Sequence, residues 1–329
     1  GMGGSILGTK AIYNFLEKKI KKKFYFLDDI DEKKLSNFKK KNLKKTLFFI
    51  ISKSGNTVET LANVFSLNIL KKNAKNIIII TEKKNNPLFK LAKKLNIFFV
   101  EHKDFIGGRY SVLSEVGIVP TYFMGLEITK LRSKIFNILI GKNKALLKDS
   151  AIKLSYLIKS KKYNNLIFVN YSPKLKQFLF WCQQLIAESL GKKNKGFLPV
   201  ISNAPRDHHS LLQLYLNGPK DKLFYIFSCD QRSKKKLNMK KFLNTKSFLH
   251  NHSLSNIKKA QKNSLIKSLS KNKIPYREFK IKKTDEETLG NLFSYFILET
   301  IIIGKLTNIN PFDQPAVEEV KLFTKKLLS

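Results

Sequence analysis

The sequence has 329 residues, 43% of them hydrophobic, and its 63 Lys and Arg against 24 Asp and Glu give a formal net charge of +39. A single core stops growing at about 250–300 residues, so two domains of ordinary size are expected. The charge does not make the chain a specific nucleic-acid reader, because its arginines are only Arg109, Arg132, Arg206, Arg232 and Arg277, whereas phosphate and base recognition draws on arginine. The lysines are spread among Asn, Ile and Phe, as an AT-rich coding bias produces.

In chain order, the glycine cluster Gly1-Met-Gly-Gly-Ser5 runs into a helix-like stretch over 10–23. It reads as the phosphate-side turn of a βα unit whose strand is missing. A short apolar run at 24–27 and a polar helix near 31–40 follow. The β-rich run 46–51 then leads through Ser52-Lys-Ser-Gly-Asn-Thr57 into a helix predicted over 57–70. At such a strand–loop–helix junction, free N–H groups, the helix dipole, Ser52, Ser54, Thr57 and Lys53 converge, which suits an anion such as phosphate. Taken alone, the hexapeptide fits an ordinary N-cap turn as well. A strand over 76–81, a helix after Pro87 and a strand over 97–101 repeat the βα pattern, which predicts a parallel sheet covered by helices.

The pattern breaks at Gly107-Gly-Arg-Tyr-Ser111, a turn that presents Arg109 beyond the carboxyl ends of the strands. There Arg109 could reach the same anion or an oxyanion, or be a surface arginine on a tight turn. Residues 121–161 read as a Lys-rich helical crossing into a second domain. That domain opens with a strand over 165–170 and a helix after Pro173 ending in Gln184-Leu-Ile-Ala-Glu188-Ser-Leu-Gly191. Gln184 and Glu188 share one helix face. A carboxylate at that end opposes the helix dipole, an environment suited to a general base. A strand near 196–200 precedes Asp207-His-His-Ser210, where Asp207 resembles an N-cap ahead of a helix carrying His208, His209 and Gln213. The histidines fit capping and surface roles equally well. Strands over 223–228 and 276–281 and helices over 257–270 and 286–305 complete the second repeat. The Lys- and Ser-rich stretch 231–256 is predicted to be the least ordered part. Asn310-Pro-Phe-Asp-Gln-Pro315 enters a terminal helix.

Cys182 and Cys229 lack metal spacing, and the histidines include no HExxH arrangement. No metal site is therefore expected. Uninterrupted apolar runs such as 77–80 and 301–303 are far shorter than the ~20 residues of a membrane span. With no basic-then-apolar leader at the start, no membrane partner and a cytoplasmic location are expected.

Six stretches, Gly-Met-Gly-Gly-Ser5, Ser52–Thr57, Gly107–Ser111, Glu188-Ser-Leu-Gly-Lys192, Asp207–Ser210 with Gln213, and Asn310–Pro315 leading to Lys321, occur in one order. In this the chain closely resembles the glucose-6-phosphate isomerase family. The resemblance implies two sugar-isomerase (SIS) domains of flavodoxin-like α/β topology, each a parallel sheet flanked by helices, at 1–140 and 141–309. Residues 310–329 would be a C-terminal segment and helix completing the site.

The resemblance further implies that Ser52, Lys53, Ser54 and Thr57, with Ser5 nearby, hold a sugar phosphate. Glu188 would carry a proton between C2 and C1 through a cis-enediol(ate), with Arg109 beside it. His209 and Lys321 would open the sugar ring, and Gln184 and Gln314 would bind hydroxyls. The histidine would serve the neighbouring subunit's site, so a homodimer with shared active sites is implied, and no metal or organic cofactor is. Three departures stand out. His208 replaces the family's usual glutamine, Ser54 and Asn56 stand where threonine is common, and the sequence starts inside a turn that the family precedes with a strand. A dual glucose/mannose phosphate isomerase and a non-catalytic SIS sugar-phosphate module are the alternatives.

Overall fold

The computed structural model describes residues 1–230, 233, 235–239 and 247–328. The stretch predicted to be least ordered, 231–256, lies in part outside them. The fold is α/β, built on two all-parallel sheets. Strands β1 (Phe48–Ile51), β2 (Ile77–Thr81) and β3 (Phe98–Glu101) lie side by side in chain order. Strands β4 (Asn165–Asn170), β5 (Leu198–Asn203), β6 (Lys222–Cys229) and β7 (Tyr276–Ile281) form the second sheet in the order β5-β4-β6-β7. Every residue of β2 is buried, as a central parallel strand covered on both faces requires.

Period-two alternation divides the core. In β4, Leu166 and Phe168 enter one apolar cluster while Ile167 and Val169 enter the opposite one. In β2, Ile77 and Ile79 face one layer and Ile78 and Ile80 the other. Helices cover these faces. In the first half they are α1 (Leu7–Leu16), α2 (Glu32–Lys39), α3 (Val58–Leu67), α4 (Pro87–Leu95) and α5 (Glu115–Phe123). Then come α6 (Ile128–Arg132), α7 (Gly141–Ser160), α8 (Lys176–Leu190), α9 (Leu212–Asn217), α10 (Leu254–Lys271), α11 (Glu286–Leu306) and α12 (Ala316–Leu328).

Local chemistry sets many boundaries. Asp31, Asn86, Ser253 and Asp285 accept first-turn N–H bonds at the starts of α2, α4, α10 and α11. Pro87 opens α4, and Asn96 closes it in the left-handed region at φ +50°. The helix predicted over 10–23 begins at Leu7 and ends at Leu16, where the lysine run carries no apolar stripe to bury. The apolar run at 24–27 packs Phe24 and Phe26 onto Tyr13.

Two packing features position the site. First, α1 joins the core of the second sheet: Ala11, Ile12 and Phe15 share a cluster with Phe178, Trp181 and Leu185 of α8 and Phe293 and Phe296 of α11. The glycine turn ahead of α1 is thereby tied to the end of α8. Second, α11 is long and apolar enough, by length and composition, to cross a membrane, although no uninterrupted apolar run marks it. Half of that window is buried within the protein. By contrast α12 buries no residue, and Val320, Leu322, Phe323 and Leu327 lie exposed along it.

Candidate active site

At the carboxyl end of β1 the chain turns through Ser52 and Gly55. Gly55 has φ +67°, and a Cβ there would lie 1.8 Å from Asn86 Oδ1. The buried Ser52 hydroxyl pairs with Thr57 Oγ1 at 2.7 Å and accepts the Gly55 N–H at 3.2 Å. Thr57 occupies the N-cap of α3, where its carbonyl accepts the Leu61 N–H at 3.0 Å but its side chain makes no cap bond, so first-turn N–H groups stay uncapped by a side chain. This is an anion cup by geometry. Ser54 stands exposed at its lip, and Lys53 donates to the Asp104 carbonyl at 2.7 Å while lying 3.5 Å from Glu82.

A second cluster forms where a 3-10 turn, Gly108–Leu113, meets the end of α8. Arg109 is only 3% exposed. Its Nε donates to Ser189 Oγ at 2.8 Å, and one terminal nitrogen donates to Glu188 Oε2 and Gln314 Oε1, both at 3.2 Å. The other reaches the carbonyls of Pro311 at 2.6 Å and Asp313 at 2.9 Å. Glu188 Oε1 accepts from Gln184 Nε2 at 2.9 Å, and the Glu188 side chain remains 29% exposed. The Gln184 side-chain amide oxygen is buried with no partner among the described residues.

The turn Gly3–Ser5 joins the two clusters. A Cβ on Gly4 would lie 2.2 Å from the Gly108 carbonyl carbon, so this backbone seats directly on the Arg109 turn, and Gly3 lies against the Gln184 amide. Gly1 meanwhile abuts the carbonyl of Ile51, just ahead of the anion cup. Ser5 follows within the same turn.

The structure thus brings Arg109, Gln184, Glu188 and Gln314 into one hydrogen-bonded group. His209 and Lys321 stand apart from it. His209 is exposed beside the 3-10 turn Arg206–His208, and Lys321 pairs with Glu318 at 2.6 Å on α12. The expectation that Asp207 caps a following helix is overturned. Its carboxylate turns back to accept the Asn203 N–H at 2.6 Å and Arg206 Nε at 2.8 Å, and α9 begins after Leu211 with no side-chain cap. His208 bonds the Tyr171 hydroxyl at 2.7 Å, and burial, helped by the neighbouring His209, lowers its pKa below the usual imidazole value. Among the described residues no cluster of His, Cys, Asp and Glu is arranged to hold a metal.

Sequence reasoning passed over Tyr110, Ser189, Lys192 and Asp313 as site residues. The Tyr110 hydroxyl lies 2.8 Å from Ser189 Oγ and from the Pro311 carbonyl, and burial raises its pKa. Lys192 is ion-paired with Asp313 at 2.6 Å. Their signal was membership of the same motif stretches as Arg109, Glu188 and Gln314.

A family model described as phosphoglucose isomerase matches residues 1–329. A probable glucose-6-phosphate isomerase of Methanococcus maripaludis is 36% identical over 347 aligned positions, covering 100% of this chain and 77% of that protein. A glucose-6-phosphate isomerase of Methanocaldococcus jannaschii is 33% identical, covering 100% and 83%. Among solved structures, a hypothetical protein of Thermus thermophilus superposes with a TM-score of 0.89 at 27% identity, covering 100% of this chain and 82% of the other. The chain belongs to the phosphoglucose isomerase family.

Proposed function

We propose that this chain is an aldose–ketose isomerase that interconverts glucose 6-phosphate and fructose 6-phosphate. The observation that carries the proposal is the carboxylate of Glu188, held between Gln184 and Arg109 yet partly open to the site. A base must be held in place and still reach its proton. Ser52, Lys53, Ser54 and Thr57, with Ser5 beside them, grip the phosphate. Glu188 takes the proton from C2 and returns it to C1, and the cis-enediolate between these steps develops negative charge on oxygen. Arg109 supplies a fixed, buried positive charge for that oxygen, where it is worth most. Gln184 and Gln314 hold the sugar hydroxyls.

Ring opening is a separate acid–base task, assigned to His209 and Lys321. Both lie outside the Arg109 cluster of this chain, and α12 exposes an apolar face, so a second copy is invoked to complete each site. In this proposal 1–140 and 141–309 are the two SIS domains of a cytoplasmic homodimer, with α1 crossing to pack on α8 and 310–329 completing the site.

The test is Glu188→Gln. Isomerisation should fall by roughly 10²–10⁴-fold, the range of a positioned general base. Binding of glucitol 6-phosphate, which has no carbonyl to isomerise, should change little. Equal loss of turnover and binding would make Glu188 structural.

A further inference from the structure

The 310–314 loop is held from two sides by polar groups. Lys192 follows the last residue of α8 and Gly191, and its side chain is 14% exposed. Its ammonium donates to the Asn310 carbonyl, to the Asp313 carbonyl at 2.7 Å and to Asp313 Oδ1 at 2.6 Å. From the other side Arg109 reaches the Pro311 and Asp313 carbonyls, and the Tyr110 hydroxyl also donates to Pro311. Asn310 Nδ2 to Asp313 Oδ2 at 3.0 Å and Phe312 N to Asn310 Oδ1 at 3.1 Å draw the loop in on itself.

Apolar anchoring is weak here. Ile309 and Pro311 are buried, and Phe312 tilts against the Tyr110 ring at 5.6 Å, but Phe312 and Asp313 stay exposed and α12 beyond them buries nothing. The seat of Gln314 beside Arg109 therefore depends on cations gathering carbonyl oxygens, and Lys192 supplies three bonds to this loop without touching Glu188, Gln184 or Gln314.

We infer that Lys192 is a positioning residue for isomerisation: it seats the 310–314 loop so that Gln314 closes over the Arg109–Glu188 pair and limits water around the carboxylate. The inference rests on the proton-transfer proposal above. Its chemical consequence is specific. Glu188 takes a proton from C2, leaving the enediolate, and the resulting carboxylic acid either returns that proton to C1 or first exchanges it with water. In D2O, exchange puts deuterium at C1 of fructose 6-phosphate. The deuterium gained per turnover is a ratio, independent of how much enzyme is folded, and it rises when water reaches Glu188 more freely.

The experiment compares wild type, Lys192→Met and Lys192→Arg in D2O at initial rates, reading deuterium at C1 by mass spectrometry together with kcat and KM. For Lys192→Met, kcat should fall about tenfold with KM within about twofold, the pattern of an interaction needed in the transition state. Deuterium per turnover should rise about twofold or more. Lys192→Arg, which retains the charge and several donors, should recover both. Unchanged deuterium per turnover in Lys192→Met, or no recovery in Lys192→Arg, overturns the inference.

Amide hydrogen exchange across 312–314 separates the two proposals. Faster exchange in Lys192→Met supports the seating role and unchanged exchange overturns it, whichever way activity falls. Absence of isomerisation by the wild-type protein would count against the functional proposal alone.

Discussion

Arg109 sits in a nearly closed shell of oxygen: a serine hydroxyl, a carboxylate, an amide carbonyl and two backbone carbonyls. Burying an unpaired cation is costly, and only a planar fork with donors on all three nitrogens can satisfy so many acceptors. Lysine would keep the charge and lose the fork. Arg109→Lys should therefore lower kcat by roughly 10²–10³-fold, as loss of a preorganised oxyanion donor does. KM should move far less, because the turn at Ser52–Thr57, proposed to hold the phosphate, is untouched. Steady-state kinetics decide it, and a change confined to KM would reassign Arg109 to substrate binding.

Among the elements, the turn after β5 shows how one residue type can serve two local structures. Aspartate before a polar segment fits an N-cap, but Asp207 spends its carboxylate on Asn203 and Arg206 behind it. Asp207→Ala leaves the Asn203 N–H without its partner and should cost about 1–3 kcal/mol in denaturant unfolding. The pH dependence follows. Burial pushes the Asp207 carboxyl up, and the hydrogen bonds from Arg206 and Asn203 outweigh burial and hold it below the ordinary aspartate value of 3.8. A folded-state pKa below the unfolded one contributes stability that is present above the unfolded value and lost as pH falls through the folded value. The stability gap between wild type and Asp207→Ala should thus narrow below about pH 4, where Asp207 begins to take up its proton. A gap independent of acidity would leave the ionised carboxylate without a role. Arg206 is largely exposed, so solvent screens its share of this stabilisation.

For the whole molecule, a pairing is proposed in which His209 and Lys321 serve a partner's Glu188. A twofold assembly with shared sites makes a quantitative prediction. Glu188→Gln and His209→Ala should each be nearly inactive alone, but random co-assembly should restore about a quarter of wild-type activity, since half the dimers then carry one intact site of two. Co-expression followed by specific-activity measurement reads this directly. Failure to recover activity, or a fully active monomer by light scattering, would place the ring-opening groups elsewhere.

What the sequence determined by itself was mostly local. The strands at 165–170 and 276–281 were legible to the residue, the first as an apolar run and the second as Tyr, Phe and Ile spaced among charges after Pro275. Pro87 likewise marks the start of the helix expected after it, at its first helical position. The spaced motifs around Arg109, Glu188 and Gln314 were legible together as a family pattern, although no local rule places them in contact. Helix α5, which carries Pro120 inside it, blurred its own signal and was not read as an element.

The tertiary structure decided the rest. It packed α1 on α8 and seated Gly4 on Gly108, a contact between segments far apart in the chain. It turned Asp207 backwards, and it drew the 310–314 loop onto Lys192 and Arg109. The physical reason is the same in each case. Periodicity and capping record what a segment does with its own backbone, whereas the partner of a buried guanidinium or a bare glycine face is chosen by whichever distant segment satisfies it in three dimensions.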